Sequence, residues 1–530
     1  MLSTLTPAIA AAPRLALRPS ALLRYAIPTM AHFIFLAVIG ITLTVAPKFV
    51  SADGDASRHL TVGEYILTHG IPTQDVFSFT MAGQHFVPYE WLAEVSSALS
   101  YRAAGLAGPV LLHGVVIAAA CALLYTHLRR RGHALLLALP VAVLAGAASA
   151  IHWLARPHVL TFLGAVIFSR ALDDWFAGRA TRRSLWQLPL VMLLWVNAHG
   201  GFLIGLILLG AFVGSDVLRA LAGSADAAHA ARRRLRGAAL PTAATLLATL
   251  ANPAGPGLYA HVTGYFGKKL LVDRTQEYMS PDFHSPDFLF FVVMLVALVA
   301  GLAWSRRRLA LHEGLLSLAF TYFALHSARN VPLFALILAP TLAAQLGALP
   351  RPQFGRRFDA AARSVAAWVG RRNAAYTRIE ARSRGQVLPI AAVTALLAVA
   401  AAQHRGGEAP LGVRFDPTRQ PVAAVQYLKA NPLPGNGFNE LRWGGYLLHA
   451  MWPDNRVFID GQTDFYGEDL SREFLDVIEL EPGWQKVLDR HAIQWVLLDA
   501  GTPAVRALAA DPAWRVTYVD RTAAILRRVA

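Results

Sequence analysis

LFFVVMLVALVAGLAW, residues Leu289 to Trp304, runs without a charged side chain, and three arginines, Arg306 to Arg308, follow almost at once. With its flanking residues the run forms a window over 286–304 that is long enough to cross the hydrocarbon core of a bilayer as a helix. Arginines gathered at one end of an apolar helix are typical of its cytoplasmic end. This stretch therefore predicts a transmembrane helix and its direction.

Similar apolar runs recur along most of the 530-residue chain. Only 15% of its residues are charged and 55% are hydrophobic, which is too little charge to cover a water-soluble protein of this size. Apolar windows predict eleven spans. They lie near 26–46, 107–128, 133–151, 157–175, 185–198, 201–219, 238–258, 286–304, 309–327, 331–349 and 387–403. The predicted fold class is an α-helical polytopic membrane protein.

The distribution of lysine and arginine between the loops predicts the orientation. Loops on the side of the N-terminus carry 27 of these residues, and the opposite loops carry eight up to the last span. Positively charged loops stay on the cytoplasmic side, so the chain is expected in a bacterial inner membrane with its N-terminus in the cytoplasm. The net charge of +16 is explained by this segregation, and no nucleic-acid partner is expected. The single cysteine, Cys121, excludes an intramolecular disulfide.

Two regions are expected on the periplasmic side. The outer loop 47–106 belongs to a transmembrane domain of residues 1–403, and its own helices are predicted near 56–69 and 89–103. The second region, 404–530, alternates short β-rich runs with helical ones and predicts a soluble α/β domain. Its strands are predicted at 456–459, 494–498, 515–519 and 523–527, and its helices at 421–430, 443–451, 482–491 and 503–510.

Polar residues that are unusual near a membrane fall on this predicted outer side. They are Asp53, Asp55, His59, Glu90 and Glu94 in the first outer loop, and Arg156, His158, Asn197, His199, Asn252, Glu277, Asp282, Arg329 and Asn330 further along the chain. A charge near the bilayer is costly unless it is paired or hydrated. A shared water-filled cavity that opens outward would satisfy these residues together.

Each of these residues also has a simpler structural interpretation. Asp55 suits a helix N-cap, and Glu90 suits the first turn of a helix. Arg156 could extend its head group to the interface, and His199 with the two glycines after it could form only a tight turn. Structural caps have no reason to prefer one side of the membrane, so the grouping favours a common site.

The absence of several common motifs narrows the range of reactions that the protein could catalyse. The sequence contains no Walker A motif, no GxGxxG, no HExxH and no GxSxG. Since nucleotide sugars and ATP are normally absent outside the cytoplasmic membrane, an outward-facing transferase must draw its activated group from a lipid carrier. That reaction needs a carboxylate base and cations for the leaving phosphate. Asp53, Asp55 and Glu90 suit the first role, and Arg58, Arg156, Arg329 and the histidines suit the second.

The layout resembles the polytopic GT-C glycosyltransferases, the superfamily of protein O-mannosyltransferases and lipid A aminoarabinose transferases, and more closely a poorly characterised bacterial branch. The matching segments include Asp53-Gly-Asp55-Ala-Ser-Arg-His59, Glu90-Trp91-Leu92-Ala-Glu94, Arg156-Pro157-His158, Trp195-Val-Asn197-Ala-His199, Arg329-Asn330, Trp443-Gly444-Gly445 and Phe458-Ile459-Asp460-Gly461. In one departure, Ser57-Arg58 stands where the branch has aromatic residues.

The resemblance implies a glycosyltransferase that moves a sugar from a polyprenyl-phosphate-linked donor to a glycan, lipid or protein acceptor. Its catalytic base would be Asp55, or else Asp53, and these two carboxylates would also hold a divalent cation, Mg or Mn, if one is used. The substrate-binding residues would be His59, Glu90, Arg156, His158, Asn197, His199, Arg329 and Asn330. The segment that begins at Asp460 would cover the acceptor site or form only a turn over packed core.

Two other functions remain open on the sequence alone. A transporter or lipid-handling protein would show repeated halves and charges at mid-membrane, and no repeat is found. A degenerate member would have lost catalysis and would bind glycan or a partner through its C-terminal domain. The departure at Ser57-Arg58 is the feature that favours this last alternative.

Overall fold

The computed structural model describes residues 23–52, 54–264, 273–350, 356–406 and 411–529. Within these ranges the membrane part and its outer loops form helices α1 to α17. These are α1 (Leu23–Ala26), α2 (Met30–Thr44), α3 (Ala46–Ser51), α4 (Asp55–His69), α5 (Trp91–Ala104), α6 (Ala107–Arg130), α7 (Leu135–Ser149), α8 (Val159–Phe176), α9 (Gln187–Val196), α10 (Leu203–Ala222), α11 (Ala225–Ala248), α12 (Gly257–Gly264), α13 (Leu289–Trp304), α14 (Leu311–His326), α15 (Val331–Gly347), α16 (Arg356–Arg382) and α17 (Val387–His404).

Every predicted span overlaps a helix, although the span at 238–258 covers only the end of α11, the turn after it and the start of α12. Seven helical stretches in the described residues are long and apolar enough to cross a membrane: Arg24–Thr44, Ala107–Arg130, Leu135–His152, Gly200–Ala222, Pro286–Trp304, Ala328–Gly347 and Val387–His404. At the other four predicted spans the helices do not meet these criteria, for local reasons. The span at 185–198 contains α9, which has only 10 residues and is too short to cross alone at about 1.5 Å per residue. Helix α8 carries the buried acids Asp173 and Asp174, and α11 carries a cluster of arginines. Helix α14 has only 16 residues.

Helix α15 is the centre of the bundle. It is buried along almost its whole length, and it packs against α7, α13, α14 and α8. The Phe334 ring meets the edge of the Phe291 ring of α13 at a centroid distance of 5.2 Å. Without a hydrophobic driving force inside the bilayer, this close packing of side chains holds the helices together.

The C-terminal domain carries a four-stranded sheet in the order β1-β2-β4-β3. Its strands are β1 (Asn436–Asn439), β2 (Ile493–Asp499), β3 (Trp514–Val519) and β4 (Ala523–Arg528), and its helices are α18 (Val422–Ala430), α19 (Gly444–Met451), α20 (Thr463–Glu479), α21 (Gln485–Arg490) and α22 (Pro503–Ala510). Strand β1 pairs with β2 in parallel, and the other two pairings are antiparallel. The predicted α/β domain is confirmed.

Two details of that domain differ from the prediction. The segment 456–459 is not a strand of the sheet, because Val457 forms only an isolated bridge with Ser78 of the first outer loop. The first strand lies instead at Asn436–Asn439, which was not predicted and which begins with an Asn-Gly pair more typical of turns. Helix α20, which is kinked at Gly467, was also not predicted, although its buried residues beyond the kink follow a helical period.

The first outer loop and the C-terminal domain share a core. The Phe79 amide donates to the Val457 carbonyl at 3.1 Å, and the Val457 amide donates to the Phe77 carbonyl at 3.2 Å. Val62 and Phe77 of the loop pack with Trp443 and Ile525 of the domain in one buried cluster. The domain is therefore fixed to the loop by backbone pairing as well as by apolar burial, and the predicted boundary at residue 403 stays a prediction.

Glycines allow the helices around this loop to approach closely. A Cβ at Gly63 of α4 would collide with the Glu94 carbonyl of α5, and a Cβ at Gly54 would collide with the Arg442 carbonyl of the C-terminal domain. Only a residue without a side chain permits these backbone contacts. The contact at Gly63 sets the distance between α4 and α5, which carry Asp55 and Glu94, and the contact at Gly54 sets the approach of the C-terminal domain.

The Gly63→Ala variant should lower stability, because the added methyl group must push α4 and α5 apart. We expect a loss of about 1–3 kcal/mol, the usual cost of overpacking. The measurement is denaturant unfolding of the purified chain in detergent. Gly210→Ala is the control, since a Cβ there meets nothing within 4 Å. Equal stability of the two variants would show that the α4–α5 contact is not fixed by Gly63.

Candidate active site

Asp55 is the first residue of α4, and its side chain lies at the end of the bundle that is predicted to face outward. One carboxylate oxygen, Oδ2, is 2.6 Å from Nη2 of Arg156, and both side chains are about one sixth exposed. The other oxygen lies against Gly461 of the C-terminal domain, where a Cβ would overlap it. A carboxylate from the first outer loop thus meets a cation that precedes α8 and a backbone segment from the C-terminal domain.

Arg156 continues this arrangement toward the loop after α12. Its Nη1 is 3.9 Å from Oε2 of Glu277, and Nε2 of His152 is 3.2 Å from the same oxygen. Arg329 approaches Glu277 from the start of α15, at 3.7 Å, and also donates to the Tyr278 hydroxyl. Although burial opposes ionisation, Arg329, His152 and Arg156 hold the pKa of Glu277 well below its usual range. Glu277 is therefore a charged bridge between two arginines.

The partly exposed side chains around Asp55 and Arg156 form an outer layer of the site. Beneath them lies an inner layer of charged side chains that is almost fully buried. Arg58, one turn along α4, has Nε 3.5 Å from Oδ1 of Asp460 and Nη1 3.8 Å from Oε1 of Glu94. It also donates to the Gln462 side chain. Burial lowers the pKa of Arg58, but Asp460 and Glu94 outweigh it and raise the pKa above its ordinary value. The buried cation is thus permanently charged and paired.

His59 and Glu90 connect the two layers. Nδ1 of His59 is 3.2 Å from Oε1 of Glu94, and Nε2 is 3.7 Å from Oε2 of Glu90. Burial raises the pKa of Glu90 to about 7, with Glu94 adding to the rise and His59 and Arg156 opposing it. A carboxyl group with this pKa can exchange a proton near neutral pH.

His199 faces Glu90 from the other side, and its hydrogen bonds indicate its tautomer. Nδ1 accepts from the Gly201 amide at 2.9 Å and lies 2.9 Å from the Thr161 hydroxyl. The Thr161 hydroxyl accepts from the Trp195 indole at 3.0 Å, which leaves its own proton for a hydrogen bond to Nδ1 of His199. Nε2 therefore carries the proton, and it lies 3.7 Å from Oε1 of Glu90.

The other predicted site residues lie around this cluster with different contacts. The His158 ring lies 6.4 Å from that of His199, and its Nε2 donates to the His152 carbonyl. Asn197 uses its side chain within the protein: it accepts from Trp91 at 2.7 Å and donates to the Leu193 and Ala251 carbonyls. Asn330 donates to the Phe323 carbonyl. These contacts suit positioning of helices, and their predicted substrate contacts stay predictions.

The metal prediction can be compared with the donors that the structure brings together. Asp53 lies outside the described residues, and Asp55 is engaged with Arg156. Instead, His59, Glu90 and Glu94 each offer one ligand atom, and these atoms lie within 4.8 Å of one another. A histidine with two carboxylates suits Mn²⁺ or Zn²⁺ better than Mg²⁺. The Arg58 guanidinium beside Glu94 opposes a second cation there.

Several contributors were not predicted from sequence. His152 gave no signal beyond its position four residues before Arg156, and Tyr278 gave none. Arg58 was considered only as a phosphate cation, whereas it is a buried partner of Asp460 and Glu94. Gly461 was noted in a possible covering turn, but its contact with Asp55 depends on the approach of the C-terminal domain.

With this geometry established, comparison with known proteins identifies the fold. No protein-family model matches the sequence, and no curated protein matches it. The apo form of the oligosaccharyltransferase of Archaeoglobus fulgidus matches with a TM-score of 0.50 at 14% identity, over 88% of this chain and 69% of that one. Oligosaccharyltransferase AglB from the same organism, in complex with an inhibitory peptide and a dolichol-phosphate, matches over the same shares at 14% identity with a TM-score of 0.48.

The chain therefore has a GT-C-like membrane fold with an additional C-terminal α/β domain, as the sequence predicted. At 14% identity the likeness concerns the fold alone. The resemblance to the O-mannosyltransferase and aminoarabinose-transferase branch stays a prediction.

Replacing Arg58 by methionine should destabilise the protein strongly, because Asp460 and Glu94 would be left as buried charges without their cation. Removing one partner of a buried pair costs about 3–5 kcal/mol. The control is Arg102→Met, since Arg102 pairs with Glu64 while both side chains are 45% exposed, and solvent screening leaves such a pair little effect on stability. Denaturant unfolding in detergent would compare the two. Similar losses would show that the buried pairing is not important for stability.

The pKa of Glu90 predicts a pH-dependent contribution to stability. Because it rises from 4.5 to about 7 on folding, the folded chain retains a proton that the unfolded chain releases. This stabilisation is complete below the unfolded pKa and is lost as the pH rises through the folded one. The Tm of the native chain minus that of Glu90→Gln should therefore fall between about pH 5 and about pH 8, measured with a chelator present. A constant difference would show that Glu90 is ionised throughout.

Proposed function

We propose that the chain is a membrane glycosyltransferase, which transfers a sugar from a polyprenyl-phosphate-linked donor to an acceptor hydroxyl at the outer face of the membrane. The observation that supports this most is the convergence of Asp55, Arg156, Glu277 and Arg329 from separate segments at one end of the bundle. A partly exposed carboxylate beside two arginines provides a base and a phosphate-binding pair. The GT-C-like fold is consistent with this chemistry.

In the proposed reaction Asp55 accepts the proton of the acceptor hydroxyl. The hydroxyl oxygen forms a bond to the anomeric carbon of the sugar, and the bond from that carbon to the phosphate oxygen breaks. The bonding electrons leave with the polyprenyl phosphate, and Arg156 and Arg329 stabilise its growing charge. The number of protons and charges is conserved, and no nucleotide is needed.

The ion pair between Asp55 and Arg156 makes this base dependent on the donor. With Oδ2 at 2.6 Å from the guanidinium, the Asp55 carboxylate is held by Arg156 before a donor binds. A donor phosphate that binds Arg156 would compete for the same guanidinium and would weaken its contact with Asp55. The carboxylate then becomes available to the acceptor when the donor is in place.

The Asp55→Asn variant tests the proposal. Loss of a general base reduces a rate by about 10²–10⁴-fold, so transfer should fall at least a hundredfold. The assay follows loss of labelled hexose from a polyprenyl-phosphate hexose in proteoliposomes, with an extract of host membranes as acceptor. Asp53→Asn is measured beside it, since Asp53 is the other predicted base.

Glu64→Gln is the matched control, because Glu64 is a carboxylate of the same helix that pairs with Arg102 at 45% exposure, away from the cluster. It should keep the native rate. Full activity of both aspartate variants, with unchanged thermal unfolding, would contradict the proposed role and favour a non-catalytic membrane protein.

A further inference from the structure

A cavity of about 290 Å³ lies at the opposite end of the bundle, the end predicted to face the cytoplasm. It is enclosed by α6, by α8 and by the segment that leads into α9. Its lining includes Leu123, Ile167, Arg130, Arg170, Asp174 and Ser184. Since one water occupies about 30 Å³ of liquid, the space is large enough for a group of several heavy atoms.

Arg170 has little compensation for its charge within the described residues. Its hydrogen bond is to the Thr126 hydroxyl at 3.5 Å, a long contact, and no ion pair of its guanidinium is found there. Asp174, the nearest acid of the cavity, is already bound by Arg130 at 3.1 Å and by Arg179 at 2.9 Å. One carboxylate therefore serves two other arginines, and the cavity keeps an excess of positive charge.

The other acids near the cavity do not supply an anionic partner for Arg170 within the described residues. Asp173 is shared by Arg131 and Arg179, and Glu313 is shared by Arg131 and Arg307. Each acid of this cluster thus already has two arginine partners. A guanidinium this close to the bilayer must be hydrated or paired, and an anion that enters the cavity would supply the pairing.

The lining of the cavity is charged near the ends of the helices and apolar deeper in the bundle. Leu123 lies seven residues before Arg130 on α6, which is about 10 Å deeper along the helix axis. Ile167 lies about one turn deeper than Arg170 on α8. Charged groups near the end of the helices, with apolar side chains extending from them into the bundle, match a phosphate joined to an acyl chain.

From these observations we infer that the cavity binds a phosphate group through Arg130 and Arg170, and that this phosphate is the head group of an anionic phospholipid. Guanidinium groups bind phosphate by short, charge-assisted hydrogen bonds. The site is separate from the cluster around Asp55 and does not depend on the function proposed for it.

The test uses the purified full chain after delipidation in detergent. Phosphatidylglycerol, phosphatidylcholine and inorganic phosphate are added separately, and bound lipid is counted by native mass spectrometry together with the shift in Tm. We expect phosphatidylglycerol to bind and raise the Tm, and Arg170→Gln to weaken this binding at least about tenfold, as loss of one charge-assisted contact predicts.

Arg183→Gln is the matched control, because Arg183 is exposed in the neighbouring segment and does not line the cavity. It should bind phosphatidylglycerol as the native chain does. Arg170→Lys retains the charge and should keep most of the binding, which separates loss of the site from misfolding. Arg130→Gln, at a side chain that is 47% exposed, provides a second loss variant in which Arg179 still pairs with Asp174.

The outcomes are distinct. Binding of phosphatidylglycerol that depends on Arg170 supports the lipid head group. An equal, Arg170-dependent stabilisation by inorganic phosphate, with none added by the lipid, supports a phosphate site for a soluble anion and overturns the lipid assignment. Equal binding of phosphatidylcholine overturns the assignment to an anionic lipid. Unchanged binding in Arg170→Gln and Arg130→Gln overturns the site itself.

Discussion

The buried guanidinium of Arg58 is the interaction on which the outer half of this protein depends. Removing such a charge from water is costly, and it becomes tolerable only when carboxylates and hydrogen-bond acceptors surround it. Glu94 comes from the second helix of the first outer loop, and Asp460 and Gln462 come from the C-terminal domain. Because one cation must satisfy groups from both regions, the loop and the domain are fixed in a single relative position. The close backbone contacts at Gly54 and Gly445 follow from that position.

This arrangement divides the cluster into two layers with different properties. In the inner layer Arg58, Glu94 and Asp460 are almost fully buried, so their pairing is permanent. In the outer layer Asp55 and Arg156 remain partly exposed, so a ligand can compete for their contact. Glu90 lies between the layers with a pKa of about 7, where a modest change in its surroundings alters its charge. Rigid groups thus support exchangeable ones, as a preorganised binding site requires.

The sequence predicted the parts of this structure that depend on local composition. Apolar windows located the helices, and the carboxylates and arginines of the outer side were recognised because their chemistry is unusual near a membrane. The pairing among them depends on tertiary contacts, so the roles of Arg58 and Gly461 could not be predicted from spacing. The predicted strand at 456–459 failed for the same reason. Val457 pairs with the outer loop, almost 400 residues earlier in the chain, and no local pattern encodes such a partner.

The position of Asp460, Gly461 and Gln462 also bears on what the C-terminal domain is for. Gly461 touches the Asp55 carboxylate, and Asp464 of the same segment lies 3.1 Å from His261 of α12. A domain that only bound a distant partner would have no need to place its backbone against a partly exposed carboxylate of the first outer loop. Its segment forms one wall around Asp55, opposite Arg156. Any ligand that reaches Asp55 must therefore fit between the membrane helices and this domain, which makes the domain part of the site.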